Sequence, residues 1–275
     1  MPKKIGILGY GYWGKILHSN LKTLNTEIII HDPPLGLDNK SELDKCSHIF
    51  IATTADRHAE NVFQFLSEEK HVFCEKPLCM KKHIAYSLFS TAKKKKLNLF
   101  VDWTFMFNDA VNYIKKIYEQ KKLGEIRSIT MNRLNSGPER HDVSAKWDLS
   151  CHDVSILQYI FNQFPNNIHW TNKKRNKKSF QDDTSVGLLE YPQFDAIIHS
   201  SWAYSKKDRK CVFEFDGGIV DWDDSTNRIN INGKNTNFIQ KQPPLMNAIN
   251  CFFDGNFDHE KITIDITEIL DHGEK

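Results

Sequence analysis

The sequence predicts an α/β protein: a doubly wound parallel sheet at the N-terminus, followed by an α+β domain with a large, mostly antiparallel sheet. Three observations predict it. The run Gly9-Tyr10-Gly11-Tyr12-Trp13-Gly14 sits between an apolar strand pattern, Ile5 to Leu8, and a helical pattern from Lys15. Strand and helix patterns then alternate to about residue 122, as a parallel sheet covered on both faces requires. From Gly124 the pattern changes to alternating strands and hairpin signals around one apolar helix. The expected division is therefore 1–122 and 123–275.

Gly9 permits a sharp turn, Gly11 removes a side chain that would block a pyrophosphate, and Gly14 lets the helix pack close to the strand. The helix start offers free N–H groups and the positive end of its dipole. Lys15 to Leu24 carries Ile16, Leu17, Leu21 and Leu24 at helical spacing. A second strand, Glu27 to His31, is followed by Asp32, 18 residues past Gly14. That is where a Rossmann dinucleotide fold places the acid that accepts ribose hydroxyls, and a carboxylate there favours NAD over NADP. The competing reading is that Asp32 caps a turn before Pro33-Pro34. His48 to Ala52 is a third strand ending in Thr53-Thr54, and Ala59 to Glu69 a helix with Val62, Phe63 and Leu66 on one face. His71 to Cys74 is a fourth strand, delivering Glu75-Lys76-Pro77 to its carboxyl end, where open parallel sheets bind ligands. Ile84 to Lys93 is helical, Leu97 to Val101 is a fifth strand, and Ala110 to Gln120 is a helix ended by Gly124.

Beyond Gly124, Ile126 to Arg133 alternates as a strand and Val154 to Phe164 reads as a strongly apolar helix. Thr184 to Tyr191 and Phe194 to Tyr204 are joined at Pro192-Gln193, Lys210 to Phe215 reaches Ile219 to Trp222 through Asp216-Gly217-Gly218, and Asn232-Gly233 marks a further hairpin.

Bulk composition narrows the function. With 37 basic and 35 acidic residues, the formal charge is +2, which gives no case for nucleic acid or an anionic membrane. The basic runs Lys93 to Lys96 and Lys173 to Lys178 read as solvated faces. Six cysteines without a CxxC pair fit a reduced, cytoplasmic chain, and no metal site is read. No signal-peptide core and no membrane-length apolar stretch is expected.

A dinucleotide domain joined to a sheet domain suggests hydride transfer, which needs a base for the hydroxyl proton. Asp148 and His152 are four apart and share a helix face if the helix has begun by Asp148. The carboxylate would then hold the imidazole. An N-cap Asp followed by a surface His is the competing reading. Lys76, fixed by Pro77, would stabilise the developing alkoxide, but position alone leaves a solvated lysine open as well.

GYGYWG, Ala52-Thr53, His58, the run His71 to Leu78 and the D-x-x-x-H of Asp148 to His152 together resemble the Gfo/Idh/MocA oxidoreductases. Trp103-Thr104-Phe105 with Asn108, Asn132 to Asn135, and Asp142 to Asp148 are similar to the branch that oxidises nucleotide-linked sugars, the UDP-N-acetylglucosamine-type 3-dehydrogenases. The resemblance runs from residue 3 to about 223. It implies that Lys76, Asp148 and His152 are catalytic, with His152 taking the proton and Lys76 positioning the hydroxyl. It further implies that Gly9, Gly11, Tyr12, Trp13, Gly14, Asp32, Thr53, Glu75 and Lys76 hold NAD, and that Asn135 and Arg140 touch the sugar or its phosphates. The expected substrate is a small molecule, a sugar attached to UDP, used in surface-polysaccharide or nucleotide-sugar synthesis. A homo-oligomer, dimer or tetramer, built on the sheet is also implied. Two departures stand out: the segment after about Asn237 is short, and Ser150-Cys151 replaces the usual glycine near the histidine. A free polyol or inositol dehydrogenase and a catalytically silent NAD-binding regulator are the alternatives.

Overall fold

The computed structural model describes residues 2–255 and 257–273. The chain forms two compact units: residues up to Trp103 together with Leu245–Thr267, and Thr104–Pro244 together with the residues from Glu268 on. The boundary thus falls a helix earlier than the change of sequence pattern near residue 122. The reason is that the helix Asp109–Glu119 packs within the second unit, where Tyr118 meets Phe161 and Tyr159 hydrogen-bonds Asn112.

In the first unit, β1 (Lys4–Leu8), β2 (Glu27–His31), β3 (His48–Ile51), β4 (His71–Cys74) and β5 (Leu99–Val101) form a parallel sheet in the order β2-β1-β3-β4-β5. Its central strands read as unbroken apolar runs because both faces are covered, and Ile49, Phe50, Val72 and Phe73 are fully buried. The connections are α1 (Tyr12–Leu21), α2 (Lys40–Leu43), α3 (His58–Ser67) and α4 (Lys82–Lys95). The chain leaves β1 on one side for β2 and returns on the other for β3, so the crevice of the sheet opens where the glycine run lies. α1 begins at Tyr12 rather than Lys15. Its first turn carries exposed Tyr12 and Trp13, which contribute nothing to the apolar stripe that marks a helix in sequence. α3 buries Val62, Phe65 and Leu66, while Phe63 faces outward, because His58, Val62, Phe65 and Leu66 lie on one helical face and Phe63 does not.

The second unit starts with α5 (Asp109–Glu119), capped by the Asn108 side chain, which accepts the Ala110 N–H at 2.8 Å. β6 (Ile126–Ser136) follows, then a π turn, Lys146–Ser150, that runs directly into α6 (Cys151–Phe161). The remaining strands are β7 (Asn167–Lys173), β8 (Thr184–Glu190), β9 (Asp195–Ser201), β10 (Ala203–Asp208), β11 (Lys210–Phe215), β12 (Gly218–Asp223), β13 (Arg228–Ile231) and β14 (Lys234–Asn235). They pair in the order β14-β13-β12-β11-β6-β9-β8-β7, with β10 also on β6. The pairings are antiparallel except β6 with β9. The stretch Phe194 to Tyr204 is two strands rather than one. It breaks at Trp202, which is buried with Ala145 and Leu149.

The chain closes with α7 (Pro244–Asp254) and α8 (Glu260–Asp271). Within the first unit, α7 brings Phe252 against Phe50, Phe73 and Phe100. No helix among the described residues is long and apolar enough to cross a membrane.

Candidate active site

β1 delivers the chain to Gly9, whose φ of +89° is in the left-handed region, and a Cβ there would stand 2.6 Å from the Ala52 carbonyl oxygen. A Cβ on Gly14 would stand 2.1 Å from the Gly9 carbonyl oxygen. Gly9 is therefore demanded by the close approach of the end of β1 to the end of β3, and Gly14 by that of α1 to the end of β1. Gly11 differs, since a Cβ there would meet nothing within 4 Å. It is the N-cap of α1, with no side-chain cap and no acidic residue in the first turn. The first-turn N–H groups and the positive helix end are thus left for an anion, which fits the pyrophosphate of NAD.

Asp32 completes this loop. Its Oδ2 accepts the Tyr10 N–H at 2.6 Å. Asp32 does stand at the N-cap position of the short 3₁₀ turn Pro33–Leu35, yet its side chain makes no capping bond there. The carboxylate is turned toward the glycine loop, and its second oxygen makes no hydrogen bond among the described residues. Two ribose hydroxyls are suitable partners for that oxygen.

At the carboxyl ends of β3 and β4, the Thr53 hydroxyl accepts from Asn61 at 2.9 Å. Buried His58 ties the two loops together, with Nδ1 at 2.8 Å from the Pro77 carbonyl and Nε2 at 3.1 Å from that of Thr53. Glu75 is buried and half-buried Lys76 joins Pro77 through a cis peptide. All nine expected cofactor residues therefore lie on loops or the helix start at the carboxyl edge of the parallel sheet. Lys76 lies on this unit, and Asp148 and His152 on the other.

In the second unit, Asp148 lies in the π turn and His152 in the first turn of α6, one continuous helical stretch. Arg140 holds Asp142 through two hydrogen bonds of 2.8 and 2.6 Å, and its Nη1 lies 3.6 Å from Asp148. The bond to Asp142 raises the Arg140 pKa. Arg140 is thus engaged by carboxylates of its own unit. Asn135 accepts from the Nε of Arg209 at 3.3 Å.

The His152 ring meets the edge of Phe105, 5.2 Å between centroids. The Arg133 guanidinium lies 4.7 Å from the Phe105 centroid and grips Asp153 with Nε at 3.1 Å and Nη2 at 2.8 Å, while Asp224 stands 3.5 Å from Nη1. Arg133 is 2% exposed and Asp153 fully buried. Burial pushes the Asp153 carboxyl up, against the pull of Arg133. Burial also opposes the Arg133 charge, but Asp153 and Asp224 outweigh it and raise its pKa. Phe105 also lines a cleft of about 440 Å³ with Thr104, Asn108, Arg209, Ser225 and Asn227. Sequence reasoning did not single out Asp153, Arg209 or Asp224. The signal for the first was a lone acid beside His152 in an otherwise apolar helix.

Residues 31–103 match the oxidoreductase family model described as an NAD-binding Rossmann fold, and residues 111–235 match the GFO/IDH/MocA C-terminal domain. Glucose-6-phosphate 3-dehydrogenase of Bacillus subtilis (strain 168) is 26% identical over 188 residues, 58% of this chain and 54% of that protein. 2,7-anhydro-N-acetylneuraminate hydratase of Escherichia coli (strain K12) is 23% identical over 222 residues, 68% of this chain and 58% of that protein. The chain spans little more than half the length of these curated relatives. UDP-N-acetylglucosamine 3-dehydrogenase GnnA from Acidithiobacillus ferrooxidans has the same fold, with a TM-score of 0.82 at 16% identity over 98% of this chain and 95% of that one. With one match on the parallel-sheet region and the other on the antiparallel-sheet region, the chain belongs to the Gfo/Idh/MocA oxidoreductase family.

Proposed function

We propose that this protein is an NAD-dependent sugar dehydrogenase. It would move a hydride between a secondary alcohol of a UDP-linked sugar and nicotinamide, in nucleotide-sugar or surface-polysaccharide synthesis. The observation that carries this reading is His152, which packs on Phe105, a wall residue of the cleft of the second unit. The glycine loop, the open N-terminus of α1 and Asp32 would hold the dinucleotide, and the Asp32 carboxylate would disfavour a 2′-phosphate. NAD, when bound, supplies the hydride acceptor. His152 takes the hydroxyl proton, Asp148 favours the imidazolium that results, and the Lys76 ammonium hydrogen-bonds the oxygen as alkoxide character develops. Thr53 and Glu75 border the nicotinamide, with His58 fixing the loops that carry them.

The test is the rise of NADH absorbance when purified protein receives NAD and UDP-N-acetylglucosamine, beside a panel of free sugars and polyols. His152→Ala is expected to lower kcat by about 10² to 10⁴, the usual contribution of a general base. Lys76→Ala is expected to lose most turnover too, and both variants should still bind NAD. Unchanged turnover in both would end the assignment. Turnover on free polyols alone would favour a polyol dehydrogenase, and NAD binding without any turnover a regulator. The outward sheet face, where Val186 is 40% and Ile197 46% exposed, supports a homo-oligomer, which light scattering would size.

A further inference from the structure

β10 leaves its ladder on β6 in a wide bulge. Ala203 pairs with Ser136 and Asp208 with Leu134, so five steps along β10 meet two along β6. The four residues between, Tyr204 to Lys207, stand opposite the single residue Asn135 of β6, and such bulges re-aim side chains beside active sites. Lys207 lies on this bulge and Arg209 is the single residue linking β10 to β11, and both line the cleft that contains Phe105. They also line a second cleft of about 440 Å³, shared with Tyr204, Lys206 and Lys210. Either volume is ordinary for a small-molecule site.

The charges in this wall are unevenly matched. Each nearby carboxylate is engaged: Asp208 accepts from Asn132 at 3.0 Å, Asp223 from the Ser225 hydroxyl at 2.6 Å, and Asp224 is shared by Arg133 at 3.5 Å and Arg209 at 3.9 Å. The cations are less fully matched. Arg209 donates its Nε to Asn135 at 3.3 Å, and its terminal nitrogens make no hydrogen bond among the described residues. Burial and the neighbouring Arg133 lower the Arg209 pKa, against the pull of Asp224. Lys207 is exposed and has no carboxylate within ion-pair distance among the described residues. A half-buried guanidinium whose terminal nitrogens make no hydrogen bond among the described residues, with Asp224 no nearer than 3.9 Å and a lysine on the same cleft wall, suits a bidentate oxyanion.

We propose that Lys207 and Arg209 are the phosphate-recognising end of the substrate cleft. The sugar would be held by a phosphate or diphosphate ester at the bulge while its ring lies toward Phe105 and His152. This rests on the sugar dehydrogenase reading for the identity of the ring, but not for the anion.

The experiment is calorimetric titration of the whole protein with glucose 6-phosphate, uridine diphosphate and glucose, alongside Lys207→Gln, Arg209→Gln, Arg209→Lys and, as a control away from the cleft, Lys177→Gln. Glucose 6-phosphate or uridine diphosphate should bind at least tenfold more tightly than glucose, and the stronger of the two separates a monoester from a diphosphate subsite. Arg209→Gln should weaken that ligand by about 10- to 100-fold, Arg209→Lys should recover only a fraction of it, and Lys177→Gln should change nothing. Circular dichroism verifies folding, and exposed Lys207→Gln keeps the test open if an Arg209 variant does not fold. Equal affinity for glucose and both phosphorylated ligands, or phosphate binding indifferent to Lys207→Gln and Arg209→Gln, overturns the proposal. Arg209-dependent binding without NAD reduction by any sugar would sink the dehydrogenase reading and leave the anion site standing.

Discussion

Arg133 is the residue on which the interior of the second unit turns. Its guanidinium is buried, doubly bonded to Asp153, close to Asp224 and stacked on Phe105, which in turn meets His152. Removing one member of a buried ion pair strands the other charge, at a cost of about 3–5 kcal/mol. Arg133→Ala is therefore expected to destabilise the protein by about that amount in urea unfolding, and Arg133→Met combined with Asp153→Leu by much less. An equal loss in the single and double variants would contradict the pairing. Half of this was legible in the sequence. Ile129, Met131 and Arg133 alternate, which places the arginine on the inward face of β6, and all three are buried. Its partner was not legible, because a spacing of 20 residues across a strand and a helix has no periodic signature. Asp148 and His152 were visible for the opposite reason: one helical turn separates them. Arg209 escaped notice because its setting depends on how β10 leaves its ladder, which no local pattern reports.

At the scale of elements, apolar runs located the parallel strands within a residue or two, since a strand buried on both faces has no polar alternation to blur it. The pairing of β9 with β6 was hidden, because it depends on the chain breaking at Trp202. The parallel strands also carry a pH response. His48 at the start of β3 stacks on His71 at the start of β4, 4.6 Å between centroids, and burial, aided by His71, pushes His48 down to about 4. His259, just before α8, lies 3.8 Å from the Phe100 ring, and burial pushes it down to about 3. Unfolded histidines take up protons near pH 6.5, so between there and about pH 4 the unfolded chain binds protons that the folded chain refuses. Stability is thus fully present above pH 6.5 and is lost as pH falls toward 4, and down to about pH 5 most carboxylates have yet to titrate. Thermal unfolding should show Tm level above pH 7 and falling through this range, with a shallower fall in His48→Gln. A flat Tm from pH 7 to 4.5 would refute the account.

For the whole molecule, the change of sequence pattern announced two regions but not where the chain ends up. Strand periodicity says nothing of α7, whose apolar face could have joined either unit. It joins the first, where Phe252 lies against Phe50, Phe73 and Phe100. A chain stopped after Pro244 would leave those rings uncovered. It is expected to be mostly insoluble, or to bind a hydrophobic dye strongly if recovered, and a soluble fragment with native-like Tm and no dye binding would contradict this. The same closure sets a timetable during synthesis. About 150 residues must be translated after Phe100 before Phe252 exists, which at ribosomal speeds is on the order of ten seconds. Throughout that interval the nascent nucleotide-binding half offers a greasy aromatic face, which makes it a natural client for a chaperone waiting at the exit tunnel.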